Sequence, residues 1–133
     1  LEEAVRYLDR SGFDDGRTHK SELTRAVVGG LDSIPSVRLY GPGPNAETPR
    51  GGPVSFNVKS GGAAEVAHVL DRRGVAVRAG AHCAQPLLRH IGAEAVCRAS
   101  IAAYTTMHDI DRLLEAVESS RNEAVALATS RML

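Results

Sequence analysis

An α+β fold, a two-layer sandwich of a small, mainly antiparallel sheet covered by helices, is what these 133 residues predict. Three observations carry that expectation. Val54, Phe56 and Val58 alternate with Ser55, Asn57 and Lys59, the period-2 signature of a half-buried strand, and similar short runs recur along the chain. Other segments space their apolar residues for one face of a helix. The two kinds interleave: after a leading helix the order is α-β-β-α-β-α-β-α, with short, hairpin-like links that favour antiparallel pairing.

The leading helix has Ala4, Val5 and Leu8 on one face, and "SGFDDGRT" after it reads as a Gly- and Asp-rich turn. The next helix is expected over Ser21 to Leu31, with Leu23, Val27, Leu31 and Ile34 on one face. "SIPS" ends it, because the residue before a proline is pushed out of the α region. Val37 to Tyr40 is a short strand, and "GPGPNAETPRGG" is a loop by composition. Val54 to Val58 follows as the second strand. Gly61-Gly62 opens a helix carrying Val66, Ala67, Val69 and Leu70, which ends near Arg73-Gly74. Val75 to Val77 is the third strand, and Pro86 suits the first turn of a short helix over Leu87 and Leu88. Ala99, Ile101 and Ala103 alternate as a fourth strand. Thr106 and Asp109 form a capping box for a last helix, whose apolar face holds Ile110, Leu113, Leu114 and Val117.

Composition narrows the function classes. With 43% hydrophobic and 24% charged residues the chain is globular rather than disordered. Lys+Arg and Asp+Glu both total 16, so the basic excess of a nucleic-acid or anionic-membrane surface is missing. No apolar run approaches the roughly 20 residues of a membrane span, and "LEEAVRYLDR" is no signal peptide. Two cysteines make no disulfide framework, which points to a reducing cytoplasm. Aromatics are only 4%, so Val, Leu, Ile and Ala must build the core. The chain also opens in mid-helix without a capping residue or initiator Met, as a piece of a longer protein does. On that reading residues 1–16 lead in from a larger domain and 17–133 form the small domain.

Chemistry concentrates in "RAGAHCAQPLLRHIG", residues 78–92. Cys83 lies in a turn of small residues between a strand end and a helix start, where a thiol is displayed rather than packed. Arg78 nearby and the backbone N–H groups of such a turn favour the thiolate. A metal site is the weaker alternative: His82, Cys83 and Cys97 are three soft ligands where structural zinc wants four. Nor is His82 placed as the base of a Cys-His hydrolase, being adjacent to the cysteine in sequence. Arg98, at the head of "RASIAAY", either pairs with one of the 16 acids or grips a planar carboxylate through two parallel hydrogen bonds. His19, His68, His90 and His108 look solvated. Lys20 lacks the apolar surroundings that would lower its pKa for Schiff-base chemistry and reads as a surface residue.

Taken together, Arg38-Leu39-Tyr40-Gly41-Pro42, Val54-Ser55-Phe56-Asn57-Val58, and Gly74 to Gly80 resemble a known pattern. It continues through His82-Cys83-Ala84-Gln85-Pro86-Leu87, Cys97-Arg98-Ala99-Ser100 and Asp109-Ile110-Asp111-Arg112-Leu113. The whole resembles the C-terminal region of class V aminotransferase-like enzymes, specifically the group II, Suf-type cysteine desulfurases and selenocysteine lyases. That resemblance implies the small C-terminal domain of a type I pyridoxal-phosphate enzyme. It implies Cys83 as the persulfide-forming nucleophile, Arg98 as the anchor of the substrate's α-carboxylate, and Arg78 and His82 in supporting roles. L-cysteine or L-selenocysteine is the implied substrate, a sulfur-acceptor protein the implied partner, and a homodimer the implied full-length assembly.

Pyridoxal phosphate would be bound by the large domain, with no cofactor-binding or metal-binding residue in this chain, so the isolated chain is expected to be inactive. Two positions depart from the family pattern: Ala81 stands where a second histidine is frequent, and Thr105 where an asparagine is. The alternatives are a class V lyase, epimerase or aminotransferase that does not use Cys83, and a non-catalytic docking or dimerisation module.

Overall fold

The computed structural model describes residues 1–47, 50–59 and 61–130. Thr48 and Pro49 of the expected loop, Ser60, residues 131–133 and the side chains of residues 8, 11, 13–15, 121, 122 and 124–130 lie outside the described set. The elements run α1 (Glu2–Ser11), α2 (Phe13–Asp32), β1 (Val37–Tyr40), β2 (Pro53–Val58), α3 (Ala63–Arg72), β3 (Arg78–Gly80), α4 (Gln85–His90), β4 (Val96–Ser100) and α5 (Met107–Ser130).

The strands form one sheet in the order β1-β2-β4-β3, and every neighbouring pair is antiparallel. The α+β class with a four-stranded antiparallel sheet and helices is therefore as the sequence led us to expect. Helix α3 carries the chain from β2 to β3 and leaves between them the gap that β4 fills, a split β-α-β arrangement.

Register sorts the side chains onto two faces, because alternate residues of a strand point oppositely. Leu39, Phe56, Cys97 and Ala79 are in line across the four strands, and Val54 pairs with Ala99. This is the helix-facing side. It packs with Leu23, Val27 and Leu31 of α2, Val66 and Leu70 of α3, and Ile110, Leu113 and Val117 of α5. Val27, Phe56, Leu70 and Val117 are fully buried, and each such side chain contributes about 1.5–3 kcal/mol. The core is mostly aliphatic, as composition implied, but it also contains Phe56 and Cys97. Close approach of α2 and α5 depends on Gly30: a Cβ there would lie 2.3 Å from Leu114 Cδ1.

Three element boundaries differ from the sequence reading. The expected turn over residues 11–18 is a break at Gly12 alone, whose φ of 75° interrupts the helical path. Helix α2 restarts at Phe13 and runs through Gly16, a residue that weakens a helix by about 1 kcal/mol without ending it. The third strand is Arg78–Gly80 rather than Val75 to Val77, and the fourth begins at Val96 rather than Ala99. In both cases an apolar run marks burial but not ladder pairing: Val75 and Val77 pack against the core without joining the sheet. By contrast, the predicted capping box is formed. The Asp109 carboxylate accepts from the Thr106 backbone N–H at 2.8 Å, and Thr106 Oγ1 accepts from the Asp109 N–H at 3.3 Å.

Candidate active site

The sheet's other face is the polar one, and one row crosses it: Tyr40 pairs with Ser55, Ser55 with Arg98, and Arg98 with Arg78. Helix α4 lies over part of this face. Between them is a cavity of about 380 Å³ whose wall includes Tyr40, Ser55, His82 and Arg98 on its polar side and Leu87 and Leu88 of α4 on its apolar side. A space of this size, apolar with a few convergent polar groups, is the usual form of a small-molecule site.

Arg98 is half-buried in the middle of β4 rather than ahead of the strand. Among the described residues it has neither an ion pair nor a hydrogen bond, and its Nε is buried without a partner. The internal salt bridge that sequence alone left open is absent among those residues. An Nε–H taken out of water without a partner is costly, which leaves this half-buried guanidinium with a free donor for an anion. Arg78 stands directly across from it, exposed and likewise unpaired among the described residues.

The cysteine turn is built on unusual backbone. His82 and Cys83 have φ of 52° and 58°, and the Ala84 N–H donates to the Ala81 carbonyl at 2.9 Å. Two central residues at positive φ under such a hydrogen bond make a primed turn, which normally selects Asn-Gly. Each non-glycine residue there costs roughly 1–2 kcal/mol. The turn is held by His82, whose Nε2–H donates to the Val96 carbonyl at 3.0 Å. That bond fixes the tautomer and leaves Nδ1 buried without a partner. Ala81, His82 and Ala84 line the cavity while Cys83 between them is exposed. The thiol is thus displayed at the cavity's edge, as the sequence suggested.

Cys97 is its opposite. It is fully buried on the helix-facing side, donates to the Ala63 carbonyl at 3.2 Å, and burial pushes its pKa up to about 12. Cys97 and His82 therefore belong to different faces of the sheet, and the three soft ligands do not converge. Among the described residues no group of three or more His, Cys, Asp and Glu is placed to hold a metal ion.

Other sequence readings shift. His19 is not solvated: it is half-buried, and its Nε2–H donates to the Thr105 carbonyl at 2.8 Å. Thr105, the position of the family departure, closes its own turn by accepting from the Ala102 N–H at 3.0 Å. Lys20 is half-buried rather than on the surface, in a groove shared with Arg17, Arg25 and Arg50. Arg50 donates to the Pro42 carbonyl at 2.6 Å and to the Tyr40 carbonyl, and burial lowers its pKa. Ser55 and Tyr40 belong to the stretches that carry the resemblance, but sequence alone assigns neither of them a site role. The alternation of β2 put Ser55 on the face away from Phe56, but only the strand order brings it beside Arg98.

Residues 1–113 match the family described as Aminotransferase class-V. A probable cysteine desulfurase of Staphylococcus aureus (strain Mu50) is 39% identical over 121 residues, covering 91% of this chain and 29% of that protein. Probable cysteine desulfurase 2 of Mycobacterium leprae (strain TN) is 45% identical over 117 residues, covering 88% of this chain and 28% of its own length. Among solved structures, the apo cysteine desulfurase of Thermococcus onnurineus NA1 superimposes with a TM-score of 0.82 at 30% identity, over 89% of this chain and 29% of that one. The cysteine desulfurase CsdA of Escherichia coli does so with a TM-score of 0.78 at 26% identity, over 90% of this chain and 28% of that one. The chain spans well under a third of the length of these relatives.

Proposed function

Because the chain belongs to the class-V aminotransferase family, we propose that it is the small C-terminal domain of a group II, Suf-type cysteine desulfurase. Residues 1–16 lead in from a large domain and 17–133 form the small one. The observation that carries the reading is the pairing of an exposed Cys83, presented by a left-handed turn, with an unpaired Arg98 in the adjoining cavity wall.

In this reading Arg98 holds the α-carboxylate of L-cysteine in a bidentate grip. The clamp sets the substrate sulfur within the roughly 3–3.5 Å at which attack is productive. The Cys83 thiolate, with Arg78 in a supporting role, attacks that sulfur. The new S–S bond forms as the substrate's C–S bond breaks; the electron pair goes to carbon, which takes up a proton, and alanine leaves. His82 acts on geometry, pinning the turn to Val96 through its Nε2–H. Cys83 is then a persulfide, exposed to a sulfur-acceptor protein. L-selenocysteine is the alternative substrate for the same chemistry. A reducing cytoplasm is the compartment we propose, in keeping with two free thiols, and a homodimer is the full-length assembly we propose.

Pyridoxal phosphate does not fit the described residues. The chain's two lysines are Lys20 and Lys59. Lys59 is exposed and donates to the Pro35 carbonyl at 3.0 Å, while Lys20 lines the groove with Arg17, Arg25 and Arg50 and not the Arg98 cavity. We therefore assign the cofactor to the large domain. The isolated chain is expected to stay colourless with pyridoxal phosphate and to release no alanine from L-cysteine.

The test is an assay of alanine release from L-cysteine by the longest product of the gene, beside its Cys83→Ser variant. An active parent and a dead variant support the desulfurase. Equal activity in both assigns the protein to a class-V lyase that does not use Cys83.

A further inference from the structure

Arg98 is not alone in its row. Tyr40 on β1, Ser55 on β2 and Arg98 on β4 are successive cross-strand partners, and all three are in the cavity wall. Neighbouring strands lie about 4.8 Å apart, so roughly 10 Å separates the Tyr40 and Arg98 backbones. The short side chain of Ser55 between two long ones leaves a notch in the cavity wall.

Each edge of the notch is a free hydrogen-bond donor. Arg98 has no partner among the described residues. The Asn57 amide donates from Nδ2 to the Ala95 carbonyl at 2.8 Å, which fixes which way the amide points. The same Nδ2 donates to the Tyr40 hydroxyl at 3.3 Å. That hydroxyl is an acceptor towards Asn57, and its own proton is left for another group. The Ser55 hydroxyl, half-buried, makes no hydrogen bond among the described residues. The orientation of Tyr40 is further held by Arg38, whose guanidinium lies 5.2 Å from the ring centroid.

We infer that Tyr40 and Ser55 complete a carboxylate cradle with Arg98. A carboxylate offers about four lone-pair sites: Arg98 takes two in its fork, and the Ser55 and Tyr40 hydroxyls donate one hydrogen bond each. These two residues select a substrate with a free carboxylate beside its amino group. The inference rests on the desulfurase reading for the identity of that carboxylate.

The experiment uses the full-length enzyme loaded with pyridoxal phosphate, with L-alanine and ethylamine as competitive inhibitors that differ by the carboxylate. In Ser55→Ala and in Tyr40→Phe, KM for L-cysteine and Ki for L-alanine rise about ten-fold each, the scale of one hydrogen bond to a charged group. Ki for ethylamine stays at the parent value, and Ser55→Thr restores the L-alanine constant. A merely structural role weakens both inhibitors alike and overturns the cradle. Unchanged constants in these variants, where Arg98→Ala loses the L-alanine preference, also overturn it and leave the desulfurase reading standing. A parent enzyme that does not prefer L-alanine to ethylamine overturns both.

Discussion

Arg78 and Arg98 face each other across the β3–β4 pair with no carboxylate between them among the described residues. Like charges directly opposite on a sheet destabilise it, opposite charges stabilise it, and each effect is roughly 0.2–1 kcal/mol. Arg78→Ala is therefore expected to raise the unfolding free energy by a few tenths of a kcal/mol and, on the proposed desulfurase reading, to slow persulfide formation in the full-length protein. Urea denaturation of the two proteins checks the first half. A destabilised variant would show that the pair is neutralised from within the fold.

The two thiols should differ sharply towards iodoacetamide. Cys83 is exposed, whereas Cys97 is fully buried with its pKa pushed up to about 12. Under native conditions mass spectrometry is expected to find one modified cysteine, at position 83, and the second only after unfolding. Comparable labelling of both would contradict the placement of Cys97 between sheet and helices.

The left-handed turn predicts a conflict between stability and activity. Cys83→Gly removes a side chain from a backbone with φ of 58°, and it is expected to be more stable than Cys83→Ala by about 1 kcal/mol. On the proposed reading, both variants of the full-length protein are expected to lose alanine release from L-cysteine. Equal stabilities would mean that the turn carries no strain.

Adjacent glycines in α2 give a built-in control. A Cβ at Gly29 meets nothing within 4 Å, so Gly29→Ala is expected to add about 0.5–1 kcal/mol from helix propensity. At Gly30 the same change meets Leu114 Cδ1 at 2.3 Å, the end of a half-buried side chain that must turn aside, so a smaller gain than at Gly29 is expected. Thermal melts of the pair decide it.

Acid stability should report the capping box. The hydrogen bond from the Thr106 backbone holds the Asp109 carboxyl below its ordinary range, with the Thr106 hydroxyl adding to the effect. A carboxyl depressed in the folded state contributes stability above its unfolded pKa of about 3.9, and that contribution is lost as pH falls through the folded value. Asp109→Asn is expected to lower stability at neutral pH and to flatten the acid limb of the stability–pH curve. An unchanged limb would show that the cap does not persist in solution.

Much of this was readable from the residues. Alternation in Val54–Val58 marked β2 and its buried face, and the spacing of Ile110, Leu113 and Val117 marked the buried face of α5, because both follow from side-chain periodicity alone. Cys83 was legible as a displayed thiol from its small neighbours. The limits of β3 and β4 were not, since Val75, Val77 and Ile101 are apolar for packing while ladder hydrogen bonds go to residues that alternation does not mark. The cradle residues Tyr40 and Ser55 were invisible for a different reason. Their meaning depends on β4 inserting between β2 and β3, a long-range pairing with no local signature.

The two-faced sheet gives neighbouring codons separate consequences. Phe56 lies between Ser55 and Asn57, and Cys97 precedes Arg98, so each step along the chain crosses from the dry layer to the chemical one. Drift at the even-numbered positions of β2 changes how much folded protein accumulates, while drift at the odd ones alters the polar face. A laboratory library restricted to the polar rows should thus retain folded members at nearly the parent's frequency.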